Sequence, residues 1–152
     1  QLEDTHRVTI ITQNIDNLHE RAGSSEVIHL HGELDIARST ADEHRLYPLN
    51  GKDIQLGDTC ELDSQLRPHV VWFGESVPEI ERAEAIVQTA DILIVVGTSL
   101  KVYPAAGLTR CATAHCQKYL VDPELPDPAL QEEFTCIAEP AGTALPKLIQ
   151  RL

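Results

Sequence analysis

No run in this chain is both long and apolar enough to cross a bilayer, so a membrane span is not expected. The opening, QLEDTHRVTI, is acidic and polar and has neither the basic region nor the apolar core of a secretory leader. No two of the four cysteines, at 60, 111, 116 and 136, stand at Cys-x-x-Cys spacing. Their scatter reads as reduced thiols, three of them core residues, with the cytoplasm as the expected location. Aromatic residues make up only 4%, so the core is expected to be aliphatic, as in α/β proteins. Positive charge is short as well: 12 Lys and Arg face 24 Asp and Glu, a formal net charge of −12. Such a surface argues against general affinity for nucleic acid, which is bound by basic side chains that displace counterions. It is compatible with attraction to basic, lysine-bearing peptides. No repeat, low-complexity tract, GxGxxG fingerprint or Walker loop is present.

At 152 residues one domain is expected, large enough to bury a core without disulfides or metals. The chain is organised around Val8 to Glu33. Val8, Ile10 and Ile11 with two threonines predict a strand over Val8–Thr12, buried on both faces. Asp16 can cap a short helix to Arg21, ended by Ala22-Gly23-Ser24-Ser25, with Leu18 facing inward. Val27 to Leu30 is extended and delivers His31. Residues 35–66 are polar, carry turn signals at Pro48–Gly51 and Gly57-Asp58, and show no sustained period, so they predict a small loop-rich insert.

Beyond it, His69 to Phe73 predicts a second strand, with Trp72 and Phe73 as core residues. Ile80, Ala83, Val87 and Ala90 share one face of a helix over Pro78–Ala90. Asp91 to Gly97 is the clearest strand. A helix over Tyr103–Cys116 and a strand over Tyr119–Asp122 follow, then a stiff connection at Pro123, Pro126 and Pro128. A short strand over Phe134–Ala138 and a helix with Pro146 in its first turn close the chain. Alternation of strand and helix implies an α/β fold: a Rossmann-like parallel sheet with helices on both faces.

Several residues could carry chemistry. Gln13, Asn14 and Asp16 sit just past a strand end, where parallel sheets bind ligands, yet could be mere turn and cap residues. His31 is a candidate general base or a satisfied structural histidine. Gly97-Thr98-Ser99 can approach phosphate or ribose, or simply turn strand into helix. Asp122 can hold ribose hydroxyls or sit in a solvated turn. Glu75 is by default a loop carboxylate.

The motifs TQNIDNLH, HLHGEL, RPHVVWFGE and GTSLKVYPAAGL, with a terminal AGTALPKL, stand in the order and spacing of the sirtuins. The chain resembles that family over nearly its whole length apart from residues 35–66. The resemblance implies an NAD-dependent protein lysine deacylase, of deacetylase or desuccinylase type. The compact insert points to its bacterial-type or mitochondrial-type branch. The resemblance makes His31 the general base, with Asn14 and Asp16 also catalytic. Gln13, Asn14, Ile15 and Asp16 would contact nicotinamide and its ribose. Gly97, Thr98, Ser99, Asp122, Pro123, Glu124 and Ala141 would contact the rest of NAD, although the family often has asparagine at the place of Asp122. Val71, Trp72, Phe73, Gly74, Glu75 and Val102 would flank an acyl-lysine peptide added as a strand. The implied reaction moves the acyl group to ADP-ribose and releases nicotinamide.

Two departures matter. Most sirtuins hold a structural zinc with two Cys-x-x-Cys pairs between HGE and RPxVVWFGE; that window holds only Cys60, so no metal is expected. The expected organisation is therefore a Rossmann-like domain of residues 1–34 and 67–152, incomplete at its start, around an insert of residues 35–66. The family's GAG-x-S opening, which clamps the NAD phosphates, is not in the sequence. These 152 residues alone are therefore expected to be inactive or very weak. The alternatives are a non-catalytic module that binds NAD or ADP-ribose, a truncated sirtuin paralogue, and a protein ADP-ribosyltransferase.

Overall fold

The computed structural model describes residues 1–125 and 128–152. They form two compact units, residues 7–79 and residues 1–6 with 80–152. Of the expected stiff connection, Pro126 lies outside the described residues.

In the unit of residues 7–79, β1 (Ile10–Thr12) and β2 (Val27–His29) pair in parallel, with Thr12 opposite His29. The crossover carries a single helical turn, α1 (Leu18–Arg21). Its N-cap is Asn17 rather than the expected Asp16, which stands one residue ahead and accepts the Leu18 N–H on Oδ1 at 3.1 Å. Its end is a Schellman motif, in which Gly23 N–H donates to the Glu20 carbonyl and Ser24 N–H to the His19 carbonyl. Leu18 does not face inward. It is 57% exposed, because a single turn has no continuous stripe to bury, and Ile28 and Leu30 fill the core instead.

The second sheet of this unit is antiparallel, in the order β4 (Leu46–Pro48), β3 (Gly32–Ser39), β5 (Leu66–Val70). Residues 35–66 are thus not loop-rich throughout; most of β3 and all of β4 lie within them. Two features hid β3 from the sequence. Arg38 and Ser39 occupy buried positions, so the apolar signal is missing, and the register shifts between Glu33 and Ala37, which breaks the two-residue period. The strand expected at 69–73 lies earlier, at 66–70. In the order β4-β3-β5 this is an edge strand, which tolerates Pro68. The chain then turns through Gly74, whose φ is 91°. Trp72 and Phe73 therefore stand outside the core, both exposed.

In the other unit, β6 (Ile92–Val96), β7 (Gln117–Val121) and β8 (Thr135–Ile137) form a parallel sheet in that order. Leu120 packs with Val95 and Phe134, while its neighbour Val121 packs with Ala144 and Leu148. Successive side chains point to opposite faces, so this sheet is covered on both, as its unbroken apolar run requires. Helix α2 (Ile80–Val87) buries Ala83 and Val87. A short α3 (Pro128–Gln131) precedes β8, and α4 (Ala141–Ile149) follows it. Helix α4 begins earlier than its leucine spacing suggested, so Pro146 lies in its interior rather than its first turn. The expected helix over 103–116 contracts to a 3-10 helix, Ala105–Arg110, in which Gly107 is a weak helix former. Among the described residues, no helix is long and apolar enough to cross a membrane. The parallel sheets and flanking helices are those of a Rossmann-like α/β fold.

Candidate active site

Where β1 ends, the backbone loses its ladder partners, and its polar groups must be satisfied another way. The segment 29–34 does this for four successive carbonyls. Leu30 N–H donates to the Thr12 carbonyl at 2.9 Å, and Leu34 N–H to that of Ile15 at 2.8 Å. Between them, His31 Nδ1 donates to the Gln13 carbonyl at 3.0 Å and His29 Nδ1 to the Asn14 carbonyl at 3.0 Å. The Asn14 N–H is taken by Thr12 Oγ1 at 3.0 Å. Thr12, Gln13, Asn14 and Ile15 are thereby zipped against the segment that carries His31, and Asp16 follows directly.

A carbonyl oxygen can only accept, so the proton of neutral His31 is fixed on Nδ1 and the lone pair on Nε2. That is the tautomer a general base needs. His31 is anchored on its other side too, since its own carbonyl accepts the Val71 N–H at 2.9 Å. The next residue must be glycine. Gly32 has a φ of 82°, and a Cβ there would lie 2.0 Å from the His69 carbonyl oxygen of β5.

Segment 71–75 therefore begins beside His31. Its turn is held by Glu75, whose Oε2 accepts from Arg38 at 2.9 Å and from the Trp72 N–H at 3.0 Å. Oε1 accepts from Arg67 at 2.6 Å, and the Arg67 guanidinium lies over the Trp72 ring. The Trp72 N–H and Arg67 hold the Glu75 carboxyl below its usual range. Arg38 is buried, and a buried cation needs such a partner. Glu75 is thus committed to shaping the turn. An open cleft of about 670 Å³ adjoins this cluster, but Arg38, Arg67 and Glu75 on its wall are engaged with one another.

The other predicted residues fall in the second unit, at the carboxyl ends of its strands. Gly97 follows β6, with its N–H on the Val121 carbonyl at 3.0 Å and a φ of 61°; no heavy atom stands within 4 Å of where a Cβ would be. Thr98 Oγ1 accepts the Leu100 N–H at 3.2 Å. Asp122 follows β7, and its Oδ1 accepts the Glu124 N–H at 2.8 Å across Pro123. Ala141 opens α4. Ends of adjacent parallel strands are where this architecture takes ligands, and Gly97 keeps its backbone open to one. Ser99 and Val102 follow Gly97 in the same unit.

Zinc does not fit the residues present. Ser39 Oγ and Cys60 Sγ lie 3.2 Å apart in a buried hydrogen bond. The Ser39 hydroxyl accepts from the Ala41 and Asp42 N–H groups, and the Cys60 sulfur from that of Leu62. Two turn tips thus meet through a hydroxyl and a thiol. Among the described residues, no three His, Cys, Asp or Glu are grouped to hold a metal. Treating the protein with EDTA is accordingly expected to leave its thermal midpoint unchanged; a drop of several degrees would show a structural metal.

Sequence reasoning passed over His29, Glu20, Arg38 and Arg67. The visible signal for His29 was its place two residues before His31, on the same side of an extended segment. Nothing in the sequence marked Arg38 as buried.

A model of the Sir2 family matches residues 1–104. An NAD-dependent protein deacylase of Helicobacter pylori is 47% identical over 152 residues, which are 100% of this chain and 66% of the relative. Among solved structures, a Sir2 homologue in complex with NAD superposes with a TM-score of 0.82 at 36% identity, covering 95% of this chain and 57% of that one. A Sir2 structure with a p53 peptide and NAD+ gives 0.77 at 30% identity, covering 98% and 65%. The chain thus spans about two thirds or less of these proteins.

Proposed function

This chain belongs to the Sir2 family, and on that premise we propose that it carries the base and part of the cofactor site of an NAD-dependent protein lysine deacylase. The observation that carries this reading is His31, held by the Gln13 carbonyl in the tautomer that leaves Nε2 to accept a proton. NAD, when bound, supplies the ribose that receives the acyl group and nicotinamide as leaving group. In the proposal, His31 Nε2 takes the proton from a ribose hydroxyl. Gln13, Asn14, Ile15 and Asp16 border the nicotinamide end. Gly97, Thr98, Ser99, Asp122, Pro123, Glu124 and Ala141 border the remainder of NAD. Val71, Trp72, Phe73, Gly74 and Glu75, with Val102, border the acyl-lysine peptide.

Two features support the substrate side. Val71 follows the β5 edge and its N–H bonds to the His31 carbonyl, which places the segment beside the base, and Phe73 is fully exposed, so a peptide has an apolar side chain to meet. The names of the relatives agree with the chemistry. We propose further that residues 1–34 and 67–152 act as the NAD-binding part around 35–66. We also propose that the protein works in the cytoplasm, as its four free cysteines favour, and that it binds neither nucleic acid nor membrane, its net charge of −12 being repelled by polyanions.

The test is to incubate the full-length protein with NAD and an acyl-lysine peptide. Nicotinamide and deacylated peptide are expected to appear together. Binding of NAD or ADP-ribose with no turnover would replace this reading with that of a binding module.

A further inference from the structure

We propose that Glu20 and His29 form a latch that holds the Asn14 peptide and so positions the segment Gln13–Asp16 for catalysis; the inference rests on the function proposed above. His29 is buried, with only 6% of its side chain exposed, and both ring nitrogens meet acceptors. Nδ1 faces the Asn14 carbonyl at 3.0 Å and Nε2 faces Glu20 Oε1 at 2.9 Å. A carbonyl and a carboxylate cannot donate, so a ring that satisfies both carries two protons and a positive charge. Three elements are tied by one side chain: α1 through Glu20, β2 through His29 itself, and the catalytic segment through Asn14.

The charges around the ring favour that state. Burial alone would push His29 down, but the Asn14 carbonyl, Glu20 on α1 and Glu33 on β3 outweigh it, and the ring titrates above its ordinary value. Glu20 in turn is held below its ordinary value by the His29 hydrogen bond, with smaller help from the charge of His19. His31 stands two residues further along. The sign follows. The His29 contribution is complete below the ordinary histidine pKa and is lost as pH rises through the raised one. The Glu20 contribution is complete above its ordinary pKa and is lost as pH falls through the depressed one. Between those limits the latch is closed.

Its consequence for the reaction runs through the backbone. Asn14 is one of the four zipped residues, next to the Gln13 carbonyl that fixes the His31 tautomer. A neutral His29 keeps a single proton, which the Glu20 carboxylate draws to Nε2, so the Asn14 carbonyl then faces a lone pair; with His29 absent it has no donor either, and in both cases the peptide is free to rotate and the seat of the base loosens.

Glu20 is 41% exposed, so Glu20→Gln is the variant least able to harm folding, with His29→Gln beside it. In the full-length protein, nitrogen-15 NMR of the histidine rings is expected to show both His29 nitrogens protonated at neutral pH. E20Q is expected to lower the His29 titration midpoint by about one pH unit, removing a charged partner. It is also expected to speed amide exchange at Gln13–Asp16 about tenfold. In turnover, E20Q and H29Q are expected to lower kcat about tenfold with KM for the peptide within twofold. The alkaline fall of kcat moves to lower pH in E20Q, in step with the ring's titration. A singly protonated His29 at neutral pH overturns the latch, as does a kcat within twofold of wild type in both variants. If the wild type neither turns over nor binds NAD, the deacylase reading fails, and ring protonation with amide exchange still decides whether the latch exists.

Discussion

Replacing His31 by asparagine is expected to lower kcat by about 10²–10⁴-fold, the usual contribution of a general base. The affinity for ADP-ribose is expected to stay within about twofold, because the groups proposed for it lie at the ends of β6 and β7. Asparagine is the informative choice. Its Nδ2 can take the place of the imidazole Nδ1 and still donate to the Gln13 carbonyl, so the zipper can persist while the proton acceptor is removed. A purely structural His31 would give the reverse pattern, with turnover largely preserved by the retained hydrogen bond. Steady-state kinetics and calorimetric titration with ADP-ribose, on H31N and wild type together, separate the two. A loss of binding equal to the loss of rate would mean that the base's role has been misread as catalysis.

The largest expected effect on stability is at the neighbouring glycine. In Gly32→Ala the new methyl meets the His69 carbonyl at 2.0 Å and the backbone carbon behind it at 2.9 Å, at a φ of 82° that L-residues rarely adopt. The positive φ costs about 1–2 kcal/mol, and forcing β5 away from β3 costs about as much again. The sum is roughly 3 kcal/mol, or a fall of about 10 °C in the thermal midpoint for a protein of this size. Gly74→Ala is the control. Its φ of 91° is similar, but no heavy atom lies within 4 Å of the added carbon. That variant is expected to lose only about 1 kcal/mol, the backbone term alone. Equal losses in the two, read from urea or thermal unfolding, would deny the close approach of β5. Because Val71 binds the His31 carbonyl directly after β5, G32A is also expected to disturb turnover while G74A disturbs it less.

These two residues show what was legible in advance. His31 and the Thr12–Asp16 segment stand at strand ends whose apolar, β-branched runs are plain in the sequence, and the structure zips them together. The run Ile92–Val96 likewise announces a strand covered on both faces. The antiparallel sheet was not legible, because its stability does not rest on an apolar period. Arg38 is buried against Glu75, Ser39 against Cys60, and a register shift interrupts β3. Pairing of this kind depends on partners distant in sequence, such as Glu75 for Arg38, and local patterning carries no trace of it. Trp72 and Phe73 misled for the opposite reason. Their hydrophobicity suggests a core, but the turn at Gly74 and the grip of Arg67 on Trp72 set them at the surface. His29 was visible as a residue and invisible as a device, since its meaning depends on Glu20 across the α1 crossover.

The most direct test is the identity of the acyl acceptor. The full-length protein is incubated with an acetyl-lysine peptide and NAD, and the products are read by mass spectrometry. Transfer to the ribose predicts one O-acetyl-ADP-ribose for each nicotinamide and each deacetylated peptide, with the rate of formation lowered about 10²–10⁴-fold in H31N. Free acetate released without consumption of NAD, or a peptide that gains the mass of ADP-ribose, would contradict it.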